Sequence, residues 1–261
     1  MSFTVVIPAR YASTRLPGKP LLAIAGKPMI QHVYERAAAS GAEAVVIATD
    51  DEQVYDAAQT FGARVEMTAA HHRSGTERIA EVVARIGMAG ERVVVNVQAD
   101  EPMLPPALVR QVAGNLADRP QAQVATLCEP IVDPAKLFDP AVVKVVCDGS
   151  GFALYFSRAP IPWDRQRFAP LPVSVPAKLR ADTGHYRHIG IYAYRAAYLQ
   201  AYAAQTASPL ERAEDLEQLR ALHHGARIHV AEAAEPAGPG VDTPQDLEAV
   251  RRLMADDRRV G

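Results

Sequence analysis

Cysteine is nearly absent from this 261-residue chain: Cys128 and Cys147 are the only two, too few for a disulfide framework or a zinc cluster. Each lies in an apolar stretch, which reads as a buried thiol. No apolar run approaches the roughly eighteen residues of a membrane-spanning helix. Neither sign of charge is in excess, with 28 Lys and Arg against 30 Asp and Glu, so bulk electrostatics give no case for nucleic acid or a membrane surface as partner. The amino terminus lacks a charged n-region followed by an apolar h-region, and a reducing, cytoplasmic setting is the expectation. Gly-x-Ser-x-Gly, the P-loop lysine pattern and Gly-x-Gly-x-x-Gly are all missing, which removes hydrolase, P-loop and dinucleotide-cofactor chemistry in their usual forms. His71-His72 and His223-His224 are adjacent pairs whose side chains diverge, so they make no zinc site.

What is present begins at once. A β-branched strand over Phe3–Ile7 runs into Pro8-Ala9-Arg10-Tyr11-Ala12-Ser13-Thr14-Arg15-Leu16-Pro17-Gly18-Lys19-Pro20. Three fixed cations, two hydroxyls and a glycine thus share one loop at the carboxyl end of a buried strand, the edge where open α/β sheets bind ligands. Arg and Lys with loop amides suit a polyphosphate. A solvated basic loop is the plainer alternative.

Strand and helix patterns then alternate. Met29, Ile30, Val33 and Ala37 repeat at helical spacing before Gly41, Val45–Thr49 reads as a buried strand, and Asp51 caps a helix ending at Gly62. Ser74-Gly75-Thr76-Glu77 matches a capping box ahead of an apolar face of Ile79, Val82, Val83 and Ile86. Val93–Val97 is the next inner strand. This order predicts a mostly parallel α/β sheet with helices on both faces. From Val124 the rhythm changes. Strands over 142–148 and 152–156 flank Asp148-Gly149-Ser150-Gly151, a hairpin signal. A proline-rich loop covers 160–176, and a strand covers 190–194. Ser208-Pro209-Leu210-Glu211 opens a helix carrying Leu216, Leu219 and Leu222 and ending at Gly225. A short strand follows at 227–230, and Thr243 caps a last helix. The corresponding division is 1–130 as a nucleotide-binding α/β region and 131–230 as a smaller α+β region for sugar binding and dimerisation. Residues 231–261 return to the main sheet.

A second strand end, Val97-Gln98-Ala99-Asp100-Glu101-Pro102, places Asp100 at the same sheet edge as Arg10, Arg15 and Lys19. A carboxylate beside a polyphosphate calls for a cation between them, and magnesium is held by one or two carboxylates plus phosphate oxygens; an ordinary turn aspartate is the alternative. Asp242 is the second candidate ligand, with partnership to its own helix start as the competing role. Arg78, one turn into the helix capped at Ser74, gains nothing from the helix dipole; it reads as meeting an anionic ligand or else pairing with Glu81. Arg158, His188 and Tyr192 stand at strand margins and suit a hydroxyl-rich ligand or simple packing. Glu217 and Gln218 read by default as a solvated helix face.

Taken together, Ile7–Pro20, Ser74–Arg78, Asn96–Pro102, Tyr155–Arg158, Arg187–Tyr192 and Gly240–Pro244 closely resemble, in order, the motifs of the CMP-Kdo synthetase (3-deoxy-manno-octulosonate cytidylyltransferase) family. The resemblance implies a Rossmann-like sheet of the nucleotide-diphospho-sugar transferase type. It also implies transfer of CMP from CTP to the anomeric hydroxyl of Kdo, with pyrophosphate released, for lipopolysaccharide. On that footing Arg10, Arg15 and Lys19, with Ala9, Ser13 and Thr14 beside them, would hold the triphosphate. Ser74, Gly75 and Gln98 would lie near the nucleotide. Asp100 and Asp242 would bind Mg2+, one ion orienting the attacking hydroxyl and a second riding on the phosphates. Arg78, Gln98, Arg158, His188, Tyr192, Glu217 and Gln218 would line the sugar site, and the chain would be a homodimer. A cytidylyltransferase for another acidic keto-sugar, of sialic or pseudaminic type, is the alternative. Two departures stand out: Ala99 replaces the family's usual glycine, and the 165–181 segment is long.

Overall fold

The structure, a computed structural model, describes residues 1–12, 15–166, 168, 179 and 184–260, the last five as backbone alone. Every residue of β1 (Phe3–Ala9) is buried, as suits a strand that is apolar but for Thr4 and covered on both faces. After the cationic loop come a helical turn at Lys19–Leu21, the two-residue strands β2 (Ala23–Ile24) and β3 (Lys27–Pro28), and α1 (Met29–Ala38). The alternation continues through β4 (Ala44–Thr49), α2 (Glu52–Thr60), β5 (Arg64–Met67), α3 (Gly75–Arg85), β6 (Val93–Asn96), α4 (Pro106–Ala117) and β7 (Val124–Pro130). The rest is α5 (Pro134–Phe138), β8 (Lys144–Cys147), β9 (Ala153–Ser157), β10 (Tyr186–Arg195), α6 (Ala196–Ala203), α7 (Pro209–Glu214), α8 (Gln218–His223), β11 (Ile228–Glu232) and α9 (Pro244–Val260).

The main sheet runs β11-β7-β10-β6-β1-β4-β5. Along this path β10 alone opposes its neighbours, antiparallel to both β6 and β7. Connections leave β1 towards β4 on one side while β6 pairs on the other, so the crevice beyond the carboxyl ends of β1 and β6 is a topological switch point. Both motif-bearing loops emerge there. One face of the sheet packs on α1, α2 and α4 through Ile30, Val33, Val54, Leu108 and Val112. The other packs on α3, α6 and α8 through Ile79, Val82, Leu199, Tyr202 and Leu219. The chain from 131 to 230 enters this sheet through β10 and β11 and adds the β8–β9 hairpin beside β10. No helix among the described residues is long and apolar enough to cross a membrane.

Three expectations need correction. The single helix from Ser208 to Gly225 is two, because Asp215 takes a left-handed conformation at φ +51° and ends α7. The strand at 190–194 is longer, beginning at Tyr186 and carrying a bulge between Ile189 and Tyr192. Cys128 is buried but Cys147 is exposed, since it closes β8 at the hairpin. Most of the proline-rich 160–176 loop, like much of the 165–181 segment, lies outside the described residues. The Asp148 turn itself is as read, its carboxylate accepting from the amides of Ser150 and Phe152.

Leu108, fully buried between α4 and the sheet, tests this packing. Leu108→Ala is expected to lower the unfolding free energy by about 3 kcal/mol in urea titration. A loss below about 1 kcal/mol would show that α4 does not seat on the sheet as described.

Candidate active site

Backbone geometry brings the charges together. Gly18 adopts φ +66°, and its amide donates to the Tyr11 carbonyl at 3.2 Å, folding the cationic loop back so that Lys19 points into the crevice. A side chain at Gly18 would be strained by that φ and would press on the Tyr11 ring at 3.3 Å. On the opposite wall the Val241 amide donates to the Asp100 carbonyl at 2.9 Å, tying the two aspartate-bearing segments together. Lys19 Nζ then donates to Asp100 Oδ2 at 2.6 Å and to Asp242 Oδ1 at 3.1 Å, and Arg15 donates to Asp242 Oδ1 at 3.0 Å. Lys19 keeps a third N–H for a ligand. Arg10 has no hydrogen-bond or ion-pair partner among the described residues and lines the same cleft. Asp242 is therefore no helix cap: Thr243 and Asp246 cap α9 reciprocally, and the Asp246 carboxylate also takes the Asp242 amide.

The cleft measures about 390 Å³ and is walled by Arg10, Arg15, Lys19, Gly75, Arg78, Gln98, Asp100 and Asp242, among others. Ala9, buried at the end of β1, is the floor from which Arg10 emerges. Ser74 caps α3 by accepting the Glu77 amide at 3.2 Å, but the expected box is only half made. The Glu77 carboxylate takes the Arg73 amide instead. A β-carbon at Gly75 would lie 3.1 Å from the Pro8 ring and 3.8 Å from Gln98 Oε1, so glycine keeps the first turn of α3 close to β1. Its free amides are the natural seat for an anion. Ala99 is not among the residues at positive φ, so its methyl is accommodated without backbone strain. Ser13 and Thr14 lie outside the described residues.

Arg78 is the buried cation of the site. Its side chain is 1% exposed and donates to Asp50 at 2.9 Å and to the Thr68 hydroxyl, leaving Nε with no partner. The alternative pairing with Glu81 does not occur, because Glu81 takes His72, Arg85 and the Ala69 amide. Glu217 and Gln218 are not solvated either. The break at Asp215 turns α8 inward, so that Gln218 is buried and Glu217 Oε1 accepts from the Thr76 hydroxyl at 2.8 Å. Glu217 Oε2 is buried and unpartnered. Burial raises the Glu217 pKa, while the Thr76 hydroxyl on Oε1 pulls it back. With Tyr192, Tyr194 and Thr76, these two residues enclose a cavity of about 10 Å³, separated from the cleft by the first turn of α3.

His188 is on the same sheet face, its ring 5.2 Å from that of Tyr192 and 5.0 Å from Phe156. Arg158 is not brought to the site. Its guanidinium is spent on the carbonyls of Glu214, Pro140 and Asp215, where it locks the α7–α8 turn. Sequence reasoning missed several participants. Asp50 and Thr68 orient Arg78 from distant loops and carry no motif. Asn96 is fully buried, accepts from Gln98 Nε2 at 3.2 Å and has an unpartnered Nδ2; a lone Asn in a Val strand was the available signal. Glu101, beside Asp100, has its pKa pushed up to about 8 by burial and then by the Asp100 charge, so it holds a proton at neutral pH.

Residues 4–228 match the family described as Cytidylyltransferase. The chain is 57% identical over 257 residues to the 3-deoxy-manno-octulosonate cytidylyltransferase of Idiomarina loihiensis, covering 98% of this chain and all of that one. It is 58% identical over 256 residues to that of Vibrio cholerae serotype O1, covering 98% and 99%. A solved CMP:2-keto-3-deoxy-manno-octonic acid synthetase, complexed with CTP, superposes with a TM-score of 0.86 at 46% identity, covering 98% of this chain and 99% of that one. Fold and cleft define a nucleotidyltransferase. The chain belongs to the cytidylyltransferase family, among its 3-deoxy-manno-octulosonate members.

Burial, then the Arg187 charge, pushes the His188 imidazole down to about 3, against roughly 6.5 in an unfolded chain. Between those values the unfolded chain takes a proton that the native state refuses, so stability falls as pH falls from about 6.5. Urea titrations at pH 6.5 and 5 should show the wild type losing roughly 1.5 kcal/mol more than His188→Gln. Equal losses would mean that the ring is protonated in place.

Proposed function

We propose that this chain transfers CMP from CTP to the anomeric hydroxyl of Kdo, releasing pyrophosphate. The observation that carries the reading is the convergence of Arg10, Arg15 and Lys19 with Asp100 and Asp242 around one cleft at the β1–β6 switch point. A cluster of that composition clamps a triphosphate. Arg10 and the third N–H of Lys19 would take phosphate oxygens directly, and Arg15 would join them by leaving Asp242. The amides at Gly75 and Thr76, at the positive end of α3, would face the same anion.

The attacking hydroxyl must approach the α-phosphorus in line with the departing pyrophosphate, as negative charge spreads over the phosphate oxygens; positioning and electrostatics supply most of such a rate enhancement. Lys19 and Arg15 would stabilise the leaving pyrophosphate. Arg78 would offer its unpartnered Nε–H to the sugar carboxylate, with the guanidinium already oriented by Asp50 and Thr68. Gln98, on the strand end between the two regions, would reach nucleotide and sugar alike. Tyr192, Glu217, Gln218 and His188 would meet the sugar hydroxyls. The donor set suits a hard divalent cation, since two carboxylate oxygens already share one ammonium and phosphates and water complete such a shell. Asp100 and Asp242 would hold Mg2+, which when bound supplies Lewis acidity and charge neutralisation beside the reacting hydroxyl and phosphates. No histidine lines the cleft among the described residues, so the chain's own part is to bind and align.

Two unpaired cysteines suit a reducing compartment, and we place the reaction in the cytoplasm. We also propose a homodimer. Val132, Leu154 and Trp163, which are 56%, 63% and 47% exposed, all belong to the 131–230 stretch, and covering them would remove exposed apolar surface.

Asp100→Asn is expected to lower turnover about 10²- to 10³-fold with an unchanged circular dichroism spectrum, read by pyrophosphate release from CTP with Kdo. Near-normal turnover would remove Asp100 from the machinery. A panel of CTP with Kdo, sialic and pseudaminic acids should show release with Kdo, and release with another acid alone would overturn the proposed substrate.

A further inference from the structure

The hydroxyl of Thr126, buried on β7, is contacted from three sides. Its Oγ1 is 2.7 Å from the Ile191 carbonyl oxygen, 3.2 Å from that of Ile189 and 2.9 Å from His188 Nε2. The two carbonyls reach one hydroxyl because β10 bulges between Ile189 and Tyr192, as bulges do where a strand must re-aim its side chains. Carbonyl oxygens only accept, and a hydroxyl has one proton. That proton must go to the carbonyls, chiefly Ile191 at the shorter distance, because otherwise two oxygen pairs would face each other with no hydrogen between them. The third contact is then fixed in direction: His188 Nε2–H donates and Thr126 Oγ1 accepts. A neutral imidazole with its proton on Nε2 carries a bare lone pair on Nδ1. Nδ1 has no hydrogen-bond partner among the described residues, and His188 is held against Tyr192 and Phe156 by ring contacts.

We propose that Thr126 is a positioning residue that locks His188 in the Nε2–H tautomer, so that Nδ1 is presented as a hydrogen-bond acceptor for a sugar hydroxyl. The sugar half of this statement rests on the reading above that His188 meets Kdo; the tautomer half rests on hydrogen-bond balance alone. The depressed basicity of the ring agrees with it, since a neutral His188 keeps the lone pair at working pH. A site that recognises a hydroxyl by an acceptor rejects ligands lacking that hydroxyl, because the acceptor would be left buried and unpaired. Thr126 therefore sets selectivity without touching the ligand.

Long-range ¹H–¹⁵N correlation spectra of histidine-labelled protein, with His188→Gln used only to assign the signal, read the tautomer directly. The wild type should show a protonated Nε2 and a bare Nδ1. Thr126→Val, which keeps the shape and loses the acceptor, should lose that preference and raise KM for Kdo roughly three- to tenfold with KM for CTP unmoved. Thr126→Ser should restore both readouts. A wild-type spectrum with the proton on Nδ1, or with a cationic ring, would overturn the proposal whether or not the Val variant folds. So would a Val variant whose spectrum and Kdo KM are unchanged, or one in which both KM values rise together. If wild-type protein leaves Kdo unturned, the substrate reading fails on that result, while the spectrum still decides the tautomer.

Discussion

Lys19 is the hinge of the site: a single ammonium, 12% exposed at its side chain, held at 2.6 Å from Asp100 and 3.1 Å from Asp242. Exposed ion pairs contribute little to stability, typically below about 1 kcal/mol, and Arg15–Asp242 is of that kind, with side chains 66% and 56% exposed. The arrangement is better understood as charge bookkeeping for a ligand. Two carboxylates in an unliganded cleft repel each other unless a cation sits between them, and Lys19 occupies that position. On the proposed reading, phosphates and a divalent ion would let the carboxylates and the ammonium exchange partners without creating an uncompensated charge. A protonated Glu101 behind Asp100 works in the same direction, by withholding a further negative charge.

The elements behind this cluster were legible in the chain, and for identifiable reasons. β1, β4 and β6 are predominantly apolar runs, which only a doubly covered parallel strand buries well. The cationic loop and the Asp100 loop follow two such strands, so the crevice at their carboxyl ends was implied by the sheet itself. Local caps were readable too, at Asp51, Ser74 and Ser208, because cap chemistry spans three or four residues. What was not legible depends on contacts distant in sequence. Arg78 finds Asp50 and Thr68, and Asp242 reaches Lys19 across 223 residues. The helix around Glu217 looked solvated because an uninterrupted helix would have put that residue outside. The left-handed Asp215 rotates it inward, and no residue type in Ala-Glu-Asp-Leu-Glu announces that break. Arg158 misled in the opposite way, since a conspicuous arginine in a family motif turns out to clamp a turn with three carbonyls.

Buried polar residues from both regions of the chain form one row across the sheet. Asn96 on β6 pairs in register with Tyr192 on β10, which pairs in turn with Thr126 on β7. This row lies on the face that otherwise packs Val94, Val124, Tyr194 and Phe156 against α3, α6 and α8. A core built for stability alone would fill such a row with aliphatic side chains, because each buried polar atom without a partner costs about 1–3 kcal/mol. Here Asn96 Nδ2, Glu217 Oε2 and Arg78 Nε are buried and unpartnered, and all three belong to residues around the cleft or its adjoining cavity. These are three of the seven such atoms among the described residues, and a ligand in the cleft would supply their missing hydrogen bonds; the others belong to Asn115, Tyr198, Gln205 and His229, none of which lines the cleft or the cavity.

The proposed reading asks different things of the two ends of the substrate pair. The phosphate end needs strong positive charge, and it would draw on loops whose cations stay accessible: Arg10 and Arg15 are exposed, and Lys19 lines the cleft. The sugar end needs directional discrimination among hydroxyls, which charge cannot give. It would be assembled from groups held by their neighbours: the His188 ring by Thr126, the Gln98 amide by Asn96, and the Glu217 carboxylate by Thr76. The cavity between Glu217 and Tyr192, at about 10 Å³, holds no more than a single water. The proposed sugar contacts of Tyr192, Glu217 and Gln218 would therefore require this cavity to widen.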